Sequence, residues 1–254
     1  MLAEANVEPL TSRSGAQTLE RGLDLLERIV EEQMTVRDLA KQSGLGLPTT
    51  RRLAATLVQT GFLSQNNGIL RVGPKLIQLG IRGQGQISFL EAARAPLKAL
   101  SEATGAPSFL GERDGDYSVH LYRTEGTQRV TVRTPAGTRR KLAETSLGKA
   151  LLLDDYQADW ERHFGSVEPQ FRPTGWLDAM RAARARGLVI HDAPGNDGIR
   201  AIAAPIRDAG GEIVAGISIV STAQYLSDAE LERVAPLVQE TAREISGALG
   251  HVER

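Results

Sequence analysis

Residues 35–72 read TVRDLAKQSGLGLPTTRRLAATLVQTGFLSQNNGILRV, and this stretch decides the fold. Thr35 stands where an N-cap belongs, with Asp38 at the capping-box position and Leu39-Ala40 behind it. Ser43-Gly44-Leu45-Gly46 then breaks the short helix. Pro48 fits the first turn of a second one, whose Leu53, Leu57 and Val58 share an inward face. A short helix, a glycine-containing turn and another helix make the helix–turn–helix layout, in which the second helix reads the major groove. Beyond Gly61 the runs Phe62-Leu63 and Ile69-Leu70 flank Asn66-Asn67-Gly68, and Asn67-Gly68 tolerate the positive φ of a tight hairpin turn. A hairpin directly behind the reading helix is the wing of a winged helix.

Charge points the same way. From Leu39 to Leu90 there is no Asp or Glu, although acids make up 31 of the 254 residues; an even spread would place about six there. The stretch carries Lys41, Arg51, Arg52, Arg71, Lys75 and Arg82. A local, acid-free, basic surface is what contact with a phosphate backbone requires. Thr49, Thr50, Arg51 and Arg52 follow Pro48 at the exposed start of the reading helix, and Asn67 and Arg71 sit on the wing. These six are the candidate contacts to double-stranded DNA. Thr meets a base edge or a thymine methyl, and Arg forks onto guanine or grips phosphate. For Arg51 and Arg52 the alternative is a solvated helix face.

The totals bound the rest. A formal net charge of −1 excludes a generic polyanion binder; the bias is regional, with ten Lys/Arg against six Asp/Glu over residues 11–82. At 41% hydrophobic the chain suits two domains. Cysteine is absent, which excludes disulfides and thiolate chemistry and fits a reducing compartment. MLAEANVEPL is no signal peptide, and no apolar run reaches the roughly 18 residues of a membrane span. The expectation is a cytoplasmic protein without a membrane partner.

Working outward, residues 1–14 lack periodicity and read as a flexible tail. Leu19, Leu23, Leu26 and Val30 recur at helical spacing as one apolar face. Residues 76–92 read as a linker helix, with Gly80, Gly83 and Gly85 as a helix-breaking hinge. A helix is expected over Phe89–Ala103, then a hairpin of Ser108–Arg113 and Tyr117–Thr124 about Asp114-Gly115-Asp116, and a strand at Val130-Thr131-Val132. Thr145 caps a helix opening at Ser146, and Trp176–Arg186 is helical. Strands follow at Leu188–His191, Ile199–Ile206 and Ile213–Ser221. Ser227 with Glu230 opens a last helix. Strands and helices with antiparallel hairpins make the fold class α/β, more narrowly α+β, with a sensor-like domain over residues 93–254 behind a winged helix over 15–75.

Ser146-x-x-Lys149 at a helix start is the spacing of a Ser nucleophile and a Lys base, but the Ser-Asp-Asn and Lys-Thr-Gly partner motifs do not occur, so no enzyme and no catalytic residue is expected. His120, His163, His191 and His251 are scattered without metal-ligand spacing, so neither a metal nor another cofactor is expected.

Together the blocks resemble one family. Leu19-Glu20-Arg21-Gly22-Leu23-Asp24-Leu25-Leu26, Leu39-Ala40, Ser43-Gly44-Leu45, Arg52-Leu53, Gly61-Phe62-Leu63, Thr145-Ser146-Leu147-Gly148-Lys149-Ala150, Arg186-Gly187-Leu188, Gly198–Ile206 and Gly216-Ile217-Ser218-Ile219 resemble the IclR family of bacterial transcriptional regulators over about residues 15–250. The resemblance implies a C-terminal GAF-like effector domain. It also implies a pocket for a small-molecule effector lined by Ser146, Leu147, His191, Ala201, Ser218 and Val220. The helix start at Ser146-Leu147 suits a carboxylate, and His191 offers a hydrogen bond, with a positive charge when protonated. Departures are Pro48, where many members open the reading helix with Ser, His191, where relatives can carry an acid, Ala193-Pro194 in place of a frequent acidic pair, Ala201 in place of a frequent Cys, and Val220 in place of a polar residue in some members. Ser218 and Ala201 also read as plain strand core.

The expected protein is a one-component regulator, a homodimer or dimer of dimers whose operator binding responds to an organic, carboxylate-bearing metabolite. Two alternatives stay open: a winged-helix protein of another family whose second domain only oligomerises, and an enzyme that carries a winged helix.

Overall fold

The computed structural model describes residues 16–253 except 85–87, 130–131, 133, 170–171 and 193–197, with the backbone alone at 81 and 84. The chain divides into two compact units, residues 1–86 and 87–254.

In the first unit α1 (Gln17–Glu31), α2 (Val36–Ser43) and α3 (Leu47–Gln59) pack with a three-stranded antiparallel sheet. Its strands are β1 (Met34–Thr35), β2 (Leu63–Asn66) and β3 (Ile69–Val72), in the order β1-β3-β2. The Thr35 hydroxyl accepts from Asp38 N–H and donates to the Asp38 carboxylate, so the cap forms as its sequence dictates. Gly44 ends α2 at φ 69°, and Asn67 (φ 48°) and Gly68 (φ 82°) close the wing. Leu25, Leu26, Ile29, Leu39, Ala54, Leu63 and Leu70 form the core.

Helix α1 differs from expectation. Leu26 is buried, but Leu19, Leu23 and Val30 are 65%, 48% and 57% exposed. The helix carries two adjacent apolar stripes, and the core takes the one through Leu25, Leu26 and Ile29; a single small unit has room for only one. Gly80 and Gly83 do not break α4 (Pro74–Gln84), which runs through both. The segment 76–92 is thus divided: α4 belongs to the first unit, and α5 (Phe89–Thr104) opens the second.

The second unit is built on a six-stranded antiparallel sheet ordered β6-β5-β4-β9-β8-β7. Its strands are β4 (Ser108–Asp114), β5 (Tyr117–Arg123), β6 (Arg139–Lys141), β7 (Val189–Asp192), β8 (Ile199–Arg207) and β9 (Ile213–Thr222). The expected strand at Val130-Thr131-Val132 falls largely outside the described residues. Period-2 alternation sends Leu110, Ile202, Ala204, Ile217 and Ile219 to one face, where α5 and α9 (Asp228–Ala248) cover them. The opposite face is covered by α6 (Ser146–Leu151), α7 (Gln157–Gly165) and α8 (Trp176–Arg186), with Trp160, Phe164, Met180 and Ala203 in the shared core. Two caps form as expected: Thr145 accepts from Gly148 N–H, and Ser227 from Glu230 N–H. Helix α7 and strand β6 went unanticipated. QADWERHFG offers one apolar pair at helical spacing, and Arg139–Lys141 has no apolar residue at all.

Close packing fixes α6 on its sheet. A Cβ at Gly111 would lie 2.5 Å from the Val119 carbonyl oxygen and 2.6 Å from Leu147 Cδ2, and one at Gly216 would lie 3.2 Å from Leu147 Cδ1. A Cβ at Gly148 would be tighter still, colliding with the Leu142 carbonyl oxygen. Gly111→Ala should therefore lower unfolding free energy by about 1–3 kcal/mol in urea titrations. Gly80→Ala and Gly83→Ala face open space and should each raise it by about 0.5–1 kcal/mol. Destabilisation by the α4 pair would show that those glycines serve a bend.

Candidate functional site

The reading helix presents Pro48, Arg51, Arg52, Ala55, Thr56 and Gln59 to solvent, with Thr49 half-buried. Thr50 corrects the sequence reading: it is fully buried, and its hydroxyl donates to the Gly46 carbonyl at 3.3 Å. Thr50 stands one turn before Ala54 on the inward stripe, so the helical period that places Leu53 and Leu57 already carried this signal. Thr56 and Gln59, which continue the exposed face, were not among the candidates. On the wing Asn67 and Arg71 are both exposed.

The arginines of this unit differ from those of the other. Of fifteen ion pairs among the described residues, only Arg28–Asp24 lies in the first unit. Arg51, Arg52 and Arg71 take part in none. Cations free of internal partners are what a phosphate backbone can recruit.

In the second unit four of the six expected pocket residues, His191, Ala201, Ser218 and Val220, lie on strands of the sheet, and the other two, Ser146 and Leu147, open α6. Register places His191, Ala201 and Val220 in one row across β7, β8 and β9. Two residues along, Ala203, Ser218 and Phe109 form the next row, and Gly216 and Gly111 the one after. Cross-strand neighbours share a face, and the contacts of Leu147 at Gly111 and Gly216 show that this face meets α6. Ser146, Leu147, His191, Ala201 and Ser218 are all at most 9% exposed, and Val220 is partly buried.

Three polar groups stand out on this face. Lys149, 6% exposed, donates from Nζ to His191 Nδ1 at 2.9 Å and lies 5.6 Å from the Phe164 ring centre. Burial pushes its ammonium down to about 8. Ser218 Oγ and His120 Nδ1 are buried without a hydrogen-bond partner. His120 is paired with Gly111 in the β4–β5 register and meets Phe109 edge-to-face at 5.5 Å. Burial lowers its pKa, with Arg140 adding to the effect.

These groups change the expected electrostatics. Burial, and then the Lys149 charge, push His191 down to about 3. It stays neutral at physiological pH, with Nδ1 accepting and its proton on Nε2. The positive charge that sequence reasoning gave to a protonated His191 resides on Lys149. Helix α6 is six residues long and Thr145 occupies its Gly148 N–H, so its terminal dipole is a small contributor beside a full ammonium. Lys149 was visible in the sequence as half of a Ser-x-x-Lys spacing. Its burial was not, because that follows from being sandwiched between the sheet and α7.

Two shallow hollows open in the first unit, one of about 330 Å³ lined by Arg37, Lys41 and Leu45 among others, one of about 440 Å³ beside Glu32 and Gln42. Neither contains orphaned buried polar atoms, so the cluster under α6 is the better ligand candidate. Among the described residues no helix is long and apolar enough to cross a membrane, and no three His, Asp or Glu are grouped to hold a metal ion.

A winged helix with unpaired arginines, joined in one chain to an α+β unit with a buried polar cluster, defines a DNA-binding transcriptional regulator with a sensor domain. Residues 18–67 match the IclR helix-turn-helix domain, and residues 85–247 match the bacterial transcriptional regulator IclR C-terminal domain. The chain belongs to the IclR family. It is 31% identical over 242 residues to the HTH-type transcriptional regulator BhcR of Paracoccus denitrificans, covering 91% of this chain and 87% of that one. It is 29% identical over 254 residues to the HTH-type transcriptional repressor AllR of Salmonella typhimurium, covering 94% and 92%. In fold it is similar to the crystal structure of Pseudomonas aeruginosa HmgR, with TM-score 0.79 at 22% identity over 94% of this chain and all of that one. The Agrobacterium tumefaciens repressor BlcR gives TM-score 0.79 at 23% identity over 95% and 100%.

The buried ammonium has a measurable signature. Lys149 has a lower pKa folded than unfolded, so folding disfavours its charged form. The penalty is full below pH 8 and is relieved as pH rises from about 8 to 10.5. Across that window the stability of the wild type relative to Lys149→Met should rise, by about 3 kcal/mol in all, at about 1.4 kcal/mol per unit. A difference that does not vary with pH in paired urea titrations would place the amine in water.

Proposed function

We propose that the chain is an operator-binding regulator whose DNA affinity is set by a small, carboxylate-bearing organic metabolite held under α6. The observation that carries this reading is the pair of buried, unpartnered polar atoms, Ser218 Oγ and His120 Nδ1, on the sheet face that α6 covers. Buried polar groups are almost always hydrogen-bonded, and exceptions cluster where function requires them. His191 Nε2–H can donate to a carboxylate and the Ser218 hydroxyl to a polar group farther along the ligand, while Leu147, Ala201 and Val220 supply an apolar wall that suits a hydrophobic or aromatic body.

The DNA contacts are assigned to Thr49, Arg51, Arg52, Asn67 and Arg71, without Thr50. Arg51→Ala with Arg52→Ala should weaken operator binding strongly and reduce the salt slope by about 1–2, leaving the fold intact because both side chains are exposed. An unchanged affinity and slope in gel-shift titration would show that α3 is not the reader. Thr50→Ala, by contrast, should act through stability alone.

A single winged helix reads few base pairs, so the functional form is a homodimer or a dimer of dimers. Leu19, Leu23 and Val30 on α1, and Ile77 and Leu79 on α4, are large exposed apolar side chains that self-association would cover. Effector binding then shifts the relative placement of two winged helices, and so the spacing of their groove contacts. Light scattering should give a dimer or larger at micromolar concentration, and Leu23→Glu with Val30→Glu should lower the mass. A wild-type monomer would overturn the assembly. If operator binding responds to no organic acid, the effector reading fails.

A further inference from the structure

We propose that Lys149 is the charge anchor of the effector site: its ammonium forms an ion pair with the anionic group of the bound metabolite, a pairing that no described acid of the protein supplies. This rests on the reading that the cluster under α6 holds the effector.

A buried cation is normally matched by a carboxylate, because an unmatched charge in the interior is costly. Lys149 is 6% exposed and is in no ion pair with any described Asp or Glu. Its polar contact is a neutral imidazole nitrogen, His191 Nδ1 at 2.9 Å, and its other electrostatic neighbour is the face of Phe164. Of the acids close in sequence to Lys149 or His191, Glu144 forms no ion pair with Lys149, and three others are engaged elsewhere. Asp192, next to His191 and on the opposite side of the strand, pairs with Arg200. Asp154 pairs with Arg207, and Asp155 with Arg113. Buried His163 on α7 meets the guanidiniums of Arg113 and Arg162.

Lys149 and the two orphaned atoms face the same side of the sheet. Ser218 is one row from the His191–Ala201–Val220 row, and His120 opposes Gly111, against which Leu147 packs. Strand spacing puts Ser218 about 10–12 Å from His191, the span of a small organic acid with its charged end on Lys149 and a polar group toward Ser218. His191 is neutral, so the one full charge of the described cluster is positive.

Full-length protein with acetate and benzoate, and their neutral amides acetamide and benzamide, at constant ionic strength tests this by thermal shift and calorimetry. The wild type should be stabilised by a carboxylate and not by its amide, and Lys149→Met should lose about 10- to 100-fold in carboxylate affinity. His191→Asp should raise the melting temperature without ligand, by placing a carboxylate beside the ammonium, and should abolish the carboxylate response. The double variant should lose that gain, which keeps the test independent of any probe, and Lys149→Gln replaces Lys149→Met if the latter does not fold. The anchor fails if carboxylates stabilise Lys149→Met as well as wild type, if the wild type shows no preference for carboxylate over amide, or if His191→Asp brings no stabilisation. Loss of response in Ser218→Ala but not in Lys149→Met would sink the anchor and leave the effector site standing. Survival in all three single variants would move the effector elsewhere altogether.

Discussion

The seating of Leu147 between Gly111 and Gly216 is the contact on which the C-terminal unit depends. Both glycines lack the Cβ that would collide with the leucine or with neighbouring backbone, so α6 approaches the sheet more closely than a side-chain-bearing strand would allow. Gly148 extends the constraint, since its hydrogen-only side faces the Leu142 carbonyl oxygen. Close approach carries Lys149 out of water, and from that follow its depressed pKa, its hydrogen bond to His191 and the neutrality of that histidine. One packing event thus sets the electrostatics of a whole site.

The two units handle charge in opposite ways. In the second, arginines are tied to acids or carbonyls, as with Arg113, Arg162, Arg200 and Arg207, and contribute to a closed surface. Exposed pairs of this kind add little stability each. In the first, no acid occurs over fifty-two residues, and Arg51, Arg52 and Arg71 form no ion pair among the described residues. The near-zero net charge of the molecule hides this division, and only the local distribution bears on DNA.

The two apolar stripes of α1 make a similar point about hydrophobicity. Leu25, Leu26 and Ile29 fill the core, while Leu19, Leu23 and Val30 stay largely exposed and add little to it. Three large apolar residues exposed on one helix make the kind of surface that a partner would cover.

Local chemistry was legible in the sequence wherever one short stretch contains the whole physical cause. The Thr35, Thr145 and Ser227 caps, the Asn67-Gly68 turn and the strand pairs about Gly115 and Asp208–Gly211 are such cases. The unpaired charge of the reading helix was also legible, because the absence of acids is a property of sequence alone. Residues that meet across distant strands were not legible from local pattern; His191, Ala201, Ser218 and Val220 were grouped only through the family resemblance. Nothing local distinguishes the core stripe of α1 from its neighbour, or says that α4 continues through Gly80 and Gly83. That His191, Ser218 and His120 share one face with Lys149 is a matter of strand order and register, set by pairing across nearly the whole C-terminal unit. The sequence determined most of the elements, though not α7 or β6, together with the winged-helix order and the residue types of the site. Tertiary structure decided which of them are buried, and since burial sets the charge state of Lys149 and His191, it decided the chemistry.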